Sequence, residues 1–229
     1  MSKSYRLVVF DWEGTLGDTL GQVLNTLAVE ANRLQLGELD EAEARHYLMF
    51  GLVVAVKKLF PNLDEERKNQ LLQAVAHALA TRSIDAYLLP GAKHIVQRIK
   101  QAGIDLAIAT NKGQHSLQRT LQACGFDGYF NVTRSAGQVP AKPCPQMLEE
   151  IMDACATSAT HTLMVGDSVS DIEMAKSLNV DAVGVNFYHQ DEQVKELLAA
   201  GATQVFDDYQ ALAAWLQLPD NPILSKERT

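Results

Sequence analysis

The chain is short of cysteine, of aromatic side chains, of clustered basic residues and of long apolar runs, and each shortage closes off a class of protein. Its three cysteines, Cys124, Cys144 and Cys155, are odd in number and lack metal-ligand spacing. That argues against a disulfide framework or a zinc cluster and for free thiols in a reducing compartment. The longest apolar patch of the first half, Leu48 to Val56, falls far short of the roughly 20 residues a bilayer span takes. The opening MSKSYRLVVF lacks the basic, apolar and small-residue layout of a signal peptide, so a cytoplasmic location is expected. Lys plus Arg number 20 against 28 Asp plus Glu, a formal net charge of −8. Without a basic cluster, that balance argues against nucleic acid or an anionic membrane as partner. No internal repeat or low-complexity segment is present.

What is present begins with RLVVFDWEGTLGD. An apolar run this short, Leu7 to Phe10, bounded by turn signals, predicts a central parallel strand covered on both faces. Asp11 then sits where the strand opens into a crevice, which is where open α/β sheets keep their ligands. A carboxylate there can act as a nucleophile and as a hard oxygen ligand for a divalent cation.

Residues from Thr19 to Leu36 have helical spacing. A further helix starts at Leu39-Asp40, another follows Gly51, and a long amphipathic one is expected from Asp64 to Tyr87. About 70 residues of pure helix are too many for a loop and predict an inserted helical domain. From Pro90-Gly91 strands alternate with helices: IDLAIAT, a short strand near Tyr129 to Thr133, THTLMVGD, VDAVGV and TQVFDD. Repeated βα units predict a parallel sheet with helices on both faces. The tail after Pro219 reads as polar and frayed.

Several predicted strands lead to groups suited to one chemistry. The first ends in Asp11, with Glu13 two residues on; another ends in Thr110-Asn111; Lys142 lies in AKPCP before a helix; and GDSVSD places Asp167 and Asp171 four apart. Each alone has an ordinary explanation as a cap, turn or surface residue. In a parallel sheet, however, the strand ends gather at one rim.

This ordered set resembles the haloacid dehalogenase-like hydrolase superfamily. The residues that carry the resemblance are Asp11-Trp12-Glu13-Gly14-Thr15, Thr110 in ATNKG, Lys142 in AKPCP, and Gly166-Asp167-Ser168-Val169-Ser170-Asp171. The helical insert matches the cap placement of the subfamily that includes phosphoglycolate phosphatase and β-phosphoglucomutase. The resemblance implies an α/β fold with a Rossmann-like core at residues 1–17 and 88–229 and an all-helical cap at 18–87. It implies a Mg²⁺-dependent phosphatase acting on a small phosphorylated metabolite, phosphoglycolate-like, as a monomer or homodimer.

In that reading Asp11 attacks phosphorus and forms an aspartyl-phosphate. Glu13 serves as acid and base, and Lys142 neutralises charge and keeps Asp11 ionised. Thr110, Asn111 and Lys142 bind the substrate's phosphoryl oxygens. Asp11, Glu13 through its backbone carbonyl, Asp167 and Asp171 hold the metal. Trp12 either walls the pocket or packs beneath the cap. Arg45, His46, Lys57 and Lys58 are the candidate polar contacts of the cap.

Glu13 departs from the family's phosphatases, which normally have Asp there. The carboxyl group is kept, but one extra methylene displaces it by about 1 Å, a shift that can cost roughly 10²-fold. Three consequences stay open: a turn adapted to Glu, a slow enzyme limited to good leaving groups, or binding without turnover. A phosphomutase of the same fold and a non-catalytic binding protein are the rival functions. Dehalogenases of this fold carry Tyr at that position. Phosphonate hydrolases carry Ala there and need a cap lysine where this chain has Val54.

Overall fold

The computed structural model describes residues 4–81 and 88–219 of the chain. The run at its start forms strand β1 (Leu7–Phe10), every residue of it buried. Strand β2 (Asp105–Gly113) pairs with one side of β1, and β4 (Thr162–Gly166) with the other, both in parallel register. With β3 (Val132–Ala136), β5 (Asp181–Val185) and β6 (Val205–Phe206), six parallel strands lie in the order β3-β2-β1-β4-β5-β6. The chain builds outward from β1 on one side and then restarts at β4 on the other. The order therefore reverses between β1 and β4, and their carboxyl ends flank the crevice that such a reversal creates.

Helices α5 (Ala92–Gln101), α6 (Gln114–Ala123), α7 (Gln146–Ala154), α8 (Val169–Ser177), α9 (Asp191–Ala199) and α10 (Tyr209–Trp215) accompany these strands. Leu7 and Val9 of the first strand share one buried cluster with Met147, Leu148 and Ile151 of α7 and with Ile172 and Met174 of α8. Val8 and Phe10, on the opposite face, are also fully buried, so both faces of β1 are covered and its sequence does not alternate.

Residues 18–87 form a second compact unit, inserted after the first strand; residues 1–17 and 88–229 make up the other. The insert contains α1 (Thr19–Arg33), α2 (Glu41–Leu48), α3 (Leu52–Leu59) and α4 (Glu65–Thr81). Asp18 and Asp40 cap the first two, accepting from the amides of Gly21 and Glu43 at 2.7 Å each. Leu24, Leu27, Ala44, Val56, Leu71 and Val75 close its own core.

Several boundaries differ from those the pattern predicts. The first helix stops at Arg33, where the αL conformation of Gln35 turns the chain. The helix expected to run to Tyr87 is present to Thr81; residues 82–87 lie outside the described residues, as does the tail from Asp220. Strand β3 begins at Val132, later than expected. Tyr129 and Phe130 pack their rings on Phe126 instead, and Asn131 accepts the Leu106 amide on its side chain. The last strand is two residues long because Asp208 caps α10 through the Ala211 amide. Among the described residues no helix is long and apolar enough to cross a membrane, and Cys124, Cys144 and Cys155 are free thiols.

Candidate active site

Asp11 leaves β1 with its amide still donating to Val165 of β4 at 2.9 Å. The chain then folds back on itself, with the amides of Leu16 and Gly17 donating to the Trp12 carbonyl at 3.0 and 2.8 Å. Trp12 is buried edge-on against Phe126. Gly14 has φ +74°, and a Cβ there would lie 2.1 Å from Asp167 Oδ2. The turn can pass this close to the acid only without a side chain. The Tyr209 hydroxyl, from the start of α10, donates to the Thr15 carbonyl and holds the turn from behind.

The remaining acids come from the loop after β4. Asp171 is fully buried in the first turn of α8, where its Oδ2 accepts from Ser168 N at 3.1 Å and Ser168 Oγ at 2.7 Å. The two residues form a capping box. Gly166 permits this packing: a Cβ there would stand 2.4 Å from Asp171 Cγ. Asp167 is partly buried. Thr15 Oγ1 donates to its Oδ1 at 3.4 Å, and Gln193 of α9 donates to its carbonyl at 2.6 Å.

Lys142 bridges the two sides. Its Nζ lies 2.7 Å from Asp11 Oδ1 and 2.6 Å from Asp171 Oδ1, and it donates to the Ala109 carbonyl at 3.1 Å. Asn111 Oδ1 accepts the Lys142 amide at 2.9 Å. Asn111, expected as a substrate ligand, thus fixes the lysine's loop. Thr110 is buried at the end of the paired part of β2, its hydroxyl oxygen accepting the Lys112 amide at 3.2 Å.

Carboxylate oxygens of Asp11, Asp167 and Asp171 all lie within 4.8 Å of one another, with one ammonium among them. Burial, then the charge of Asp171, push the Asp11 carboxyl up to about 6 although Lys142 pulls the other way. Burial, then Asp11 and Asp171, push Asp167 up to about 8. Lys142 acts on Asp11 in the expected direction but is outweighed. Burial alone would lower the Lys142 ammonium, yet the attraction of Asp11 and Asp171 raises it.

Asp11 Oδ1 is buried, and its close partner is the Lys142 ammonium at 2.7 Å. Three carboxylates gathered about a single ammonium leave an excess of hard oxygen donors, a set that fits a Mg²⁺-like cation. Glu13 does not join the cluster: its Oε1 pairs with Lys112 Nζ at 2.9 Å.

Gly14→Ala would force Asp167 aside. It is expected to weaken Mg²⁺ binding by roughly 10- to 100-fold, the usual effect of displacing a ligand's support. Calorimetric titration of the metal-free protein measures this directly, and an unchanged affinity would show that Asp167 is not a ligand.

Sequence reasoning did not reach Lys112, Tyr209, Gln193 or the Thr15–Asp167 contact. Lys112 stood in the quoted ATNKG, and Thr15 beside the nucleophile, but no pattern tied either to a distant partner. Of the candidate cap contacts, Arg45 lies near Asp18 and Glu41 of its own unit, at 3.9 and 3.8 Å, and His46 packs on Tyr47 and Phe50. Lys57 and Lys58 are exposed.

The chain matches the haloacid dehalogenase-like hydrolase family over residues 8–185 and belongs to it. It is 29% identical to a phosphoglycolate phosphatase of Rhodospirillum rubrum, over 93% of this chain and 92% of that one. It is 30% identical to a phosphoglycolate phosphatase of Mesorhizobium japonicum, over 88% of this chain and 91% of the relative. A HAD-superfamily hydrolase of Ehrlichia chaffeensis shares the fold with TM-score 0.62 at 19% identity, over 95% of this chain and 98% of that one.

Proposed function

We propose that this chain is a phosphatase that moves the phosphoryl group of a small metabolite first to Asp11 and then to water. The observation that carries the reading is the buried cluster of Asp11, Asp167 and Asp171 around one ammonium, at the reversal point of the sheet. An Asp11 oxygen attacks phosphorus, and the bond from phosphorus to the leaving alcohol oxygen breaks. Water then attacks the aspartyl-phosphate and returns Asp11 as a carboxylate.

Asp11, Asp167 and Asp171, with the Glu13 backbone carbonyl, are the groups that would hold Mg²⁺, which when bound offsets the phosphoryl charge that bare carboxylates would repel. The chain's own groups do the rest. Lys142 orients Asp11 and stands among the acids as a fixed positive charge, and Asn111 keeps its loop in place. The Thr110 hydroxyl accepts from Lys112, which leaves its own proton to donate to a phosphoryl oxygen. Glu13 is the carboxyl group left outside the cluster, and we assign it the proton transfers to the leaving alcohol and from the water.

The inserted unit of residues 18–87 is proposed as a cap domain that supplies selectivity, and a 2-phosphoglycolate-like compound as substrate. The names of the relatives support the substrate class. The test is phosphate release from a panel of phosphorylated metabolites that includes 2-phosphoglycolate and sugar phosphates. Release with Mg²⁺ and its loss in EDTA is the expected result. Isomerised sugar phosphate without release would instead indicate a mutase, and no reaction with any compound a binding protein.

A further inference from the structure

The pairing of Glu13 with Lys112 is a feature of the site that the proposed mechanism does not use. The Glu13 side chain is 43% exposed, that of Lys112 only 17%. A half-exposed ion pair of this kind adds little to the stability of a fold, so stability is a weak reason for it. Its construction is more specific. The register of β2 against β3 shifts between Thr110 and Gly113, and Asn111 and Lys112 fall in that break. Breaks in pairing re-aim side chains, often beside active sites. Here the Lys112 amide is tied to Thr110 Oγ1 at 3.2 Å, and the ammonium reaches Glu13, 99 residues earlier, at 2.9 Å. Asn111, the other residue of the break, holds the Lys142 loop. Both residues of the irregularity therefore serve side chains of the candidate site.

The glutamate side chain has three torsions, and its half-exposed carboxylate is met by the Lys112 ammonium. A carboxylate that wanders by about 1 Å can lose roughly 10²-fold in rate. We propose that Lys112 is a positioning residue for Glu13: it holds the longer side chain where its carboxylate takes a proton from the water that hydrolyses the aspartyl-phosphate. The inference rests on the phosphatase reading. In this step the water oxygen bonds to phosphorus and the bond from phosphorus to the Asp11 oxygen breaks, with its electron pair returning to Asp11. The proton lost by water passes to Glu13, while Lys112 keeps its own protons.

The test uses the full chain with Mg²⁺ and p-nitrophenyl phosphate, whose leaving group needs no proton. Lys112→Met is expected to lower kcat by about 10- to 100-fold and to produce a burst of p-nitrophenol, because only the second step slows. kcat/KM, which reports the attack by Asp11, stays within about threefold. Lys112→Arg retains most of kcat, and Lys112→Met added to Glu13→Gln costs less than about a further twofold. Equal losses in both backgrounds, a parallel fall of kcat and kcat/KM, or an unchanged kcat would overturn the proposal. The side-chain ¹⁵N resonance of Lys112 reads the contact without turnover. It should shift in Glu13→Gln, and an unchanged resonance also sinks the inference. If the wild type releases no phosphate from any compound of the panel while that shift is seen, the phosphatase reading has failed and the pairing stands.

Discussion

Asp11→Asn is expected to abolish turnover, with kcat falling by about 10⁴- to 10⁶-fold, while the protein remains folded. An amide cannot form the covalent intermediate, and losses of this size follow removal of a nucleophile. The stability side of the prediction has the opposite character. Burial and Asp171 raise the Asp11 carboxyl from 3.8 to about 6, so the folded state holds this proton more tightly than the unfolded state does. Its contribution is therefore most favourable below the unfolded value and is lost as pH rises through about 6. In EDTA the wild-type melting temperature should fall between pH 4 and pH 8, and that of Asp11→Asn should fall less. A kcat within tenfold of wild type would remove Asp11 from the mechanism, and a variant that melts much lower at pH 8 would contradict the electrostatic account.

Lys142→Met is expected to be the most destabilising single change in the site. The substitution keeps the volume and removes an ammonium that lies 2.7 and 2.6 Å from two buried carboxylates. Breaking a buried ion pair from one side costs about 3–5 kcal/mol. For a chain of this size that lowers the melting temperature by roughly 6–20 °C. The loss should be greatest near pH 8 and shrink toward pH 4, because protonating Asp11 neutralises the orphaned charge. The lysine itself adds no pH dependence there: attraction to Asp11 and Asp171 raises its pKa further, so it is charged throughout this range. Millimolar Mg²⁺ should recover part of the loss, since a bound cation replaces the missing charge. Calorimetry with and without the metal measures both quantities, and kcat is expected to drop by about 10²- to 10³-fold. Equal melting temperatures for variant and wild type at pH 8 would mean that the cluster is not held as the distances indicate.

Much of the architecture could be read from pattern. A uniformly apolar run as short as Leu7 to Phe10, bounded by turn signals, fits a strand buried on both faces, and the βα alternation after Pro90 leaves little choice but a parallel sheet. Strand edges were less legible: Tyr129 and Phe130 have strand-like side chains, yet Phe126 offers them a better partner than the sheet does. The site divides in the same way. Asp11, Lys142, Asp167 and Asp171 each sit in a recognisable local motif, and the structure brings them together. Asn111 also stood in a motif, and only the structure shows its Oδ1 accepting the Lys142 amide.

By itself the sequence determined which acids and which lysine end at one rim, because strand direction and the one-sided gathering of strand ends follow from chain connectivity alone. Only the tertiary structure decided how their charges balance. Lys142 was expected to keep Asp11 readily ionised, yet burial and the neighbouring Asp171 push it the other way. Likewise only folding showed that Glu13 leans on Lys112 and that Tyr209 braces the turn. Desolvation and pairing depend on what surrounds a group in space, and here those neighbours lie 99 to 194 residues away along the chain.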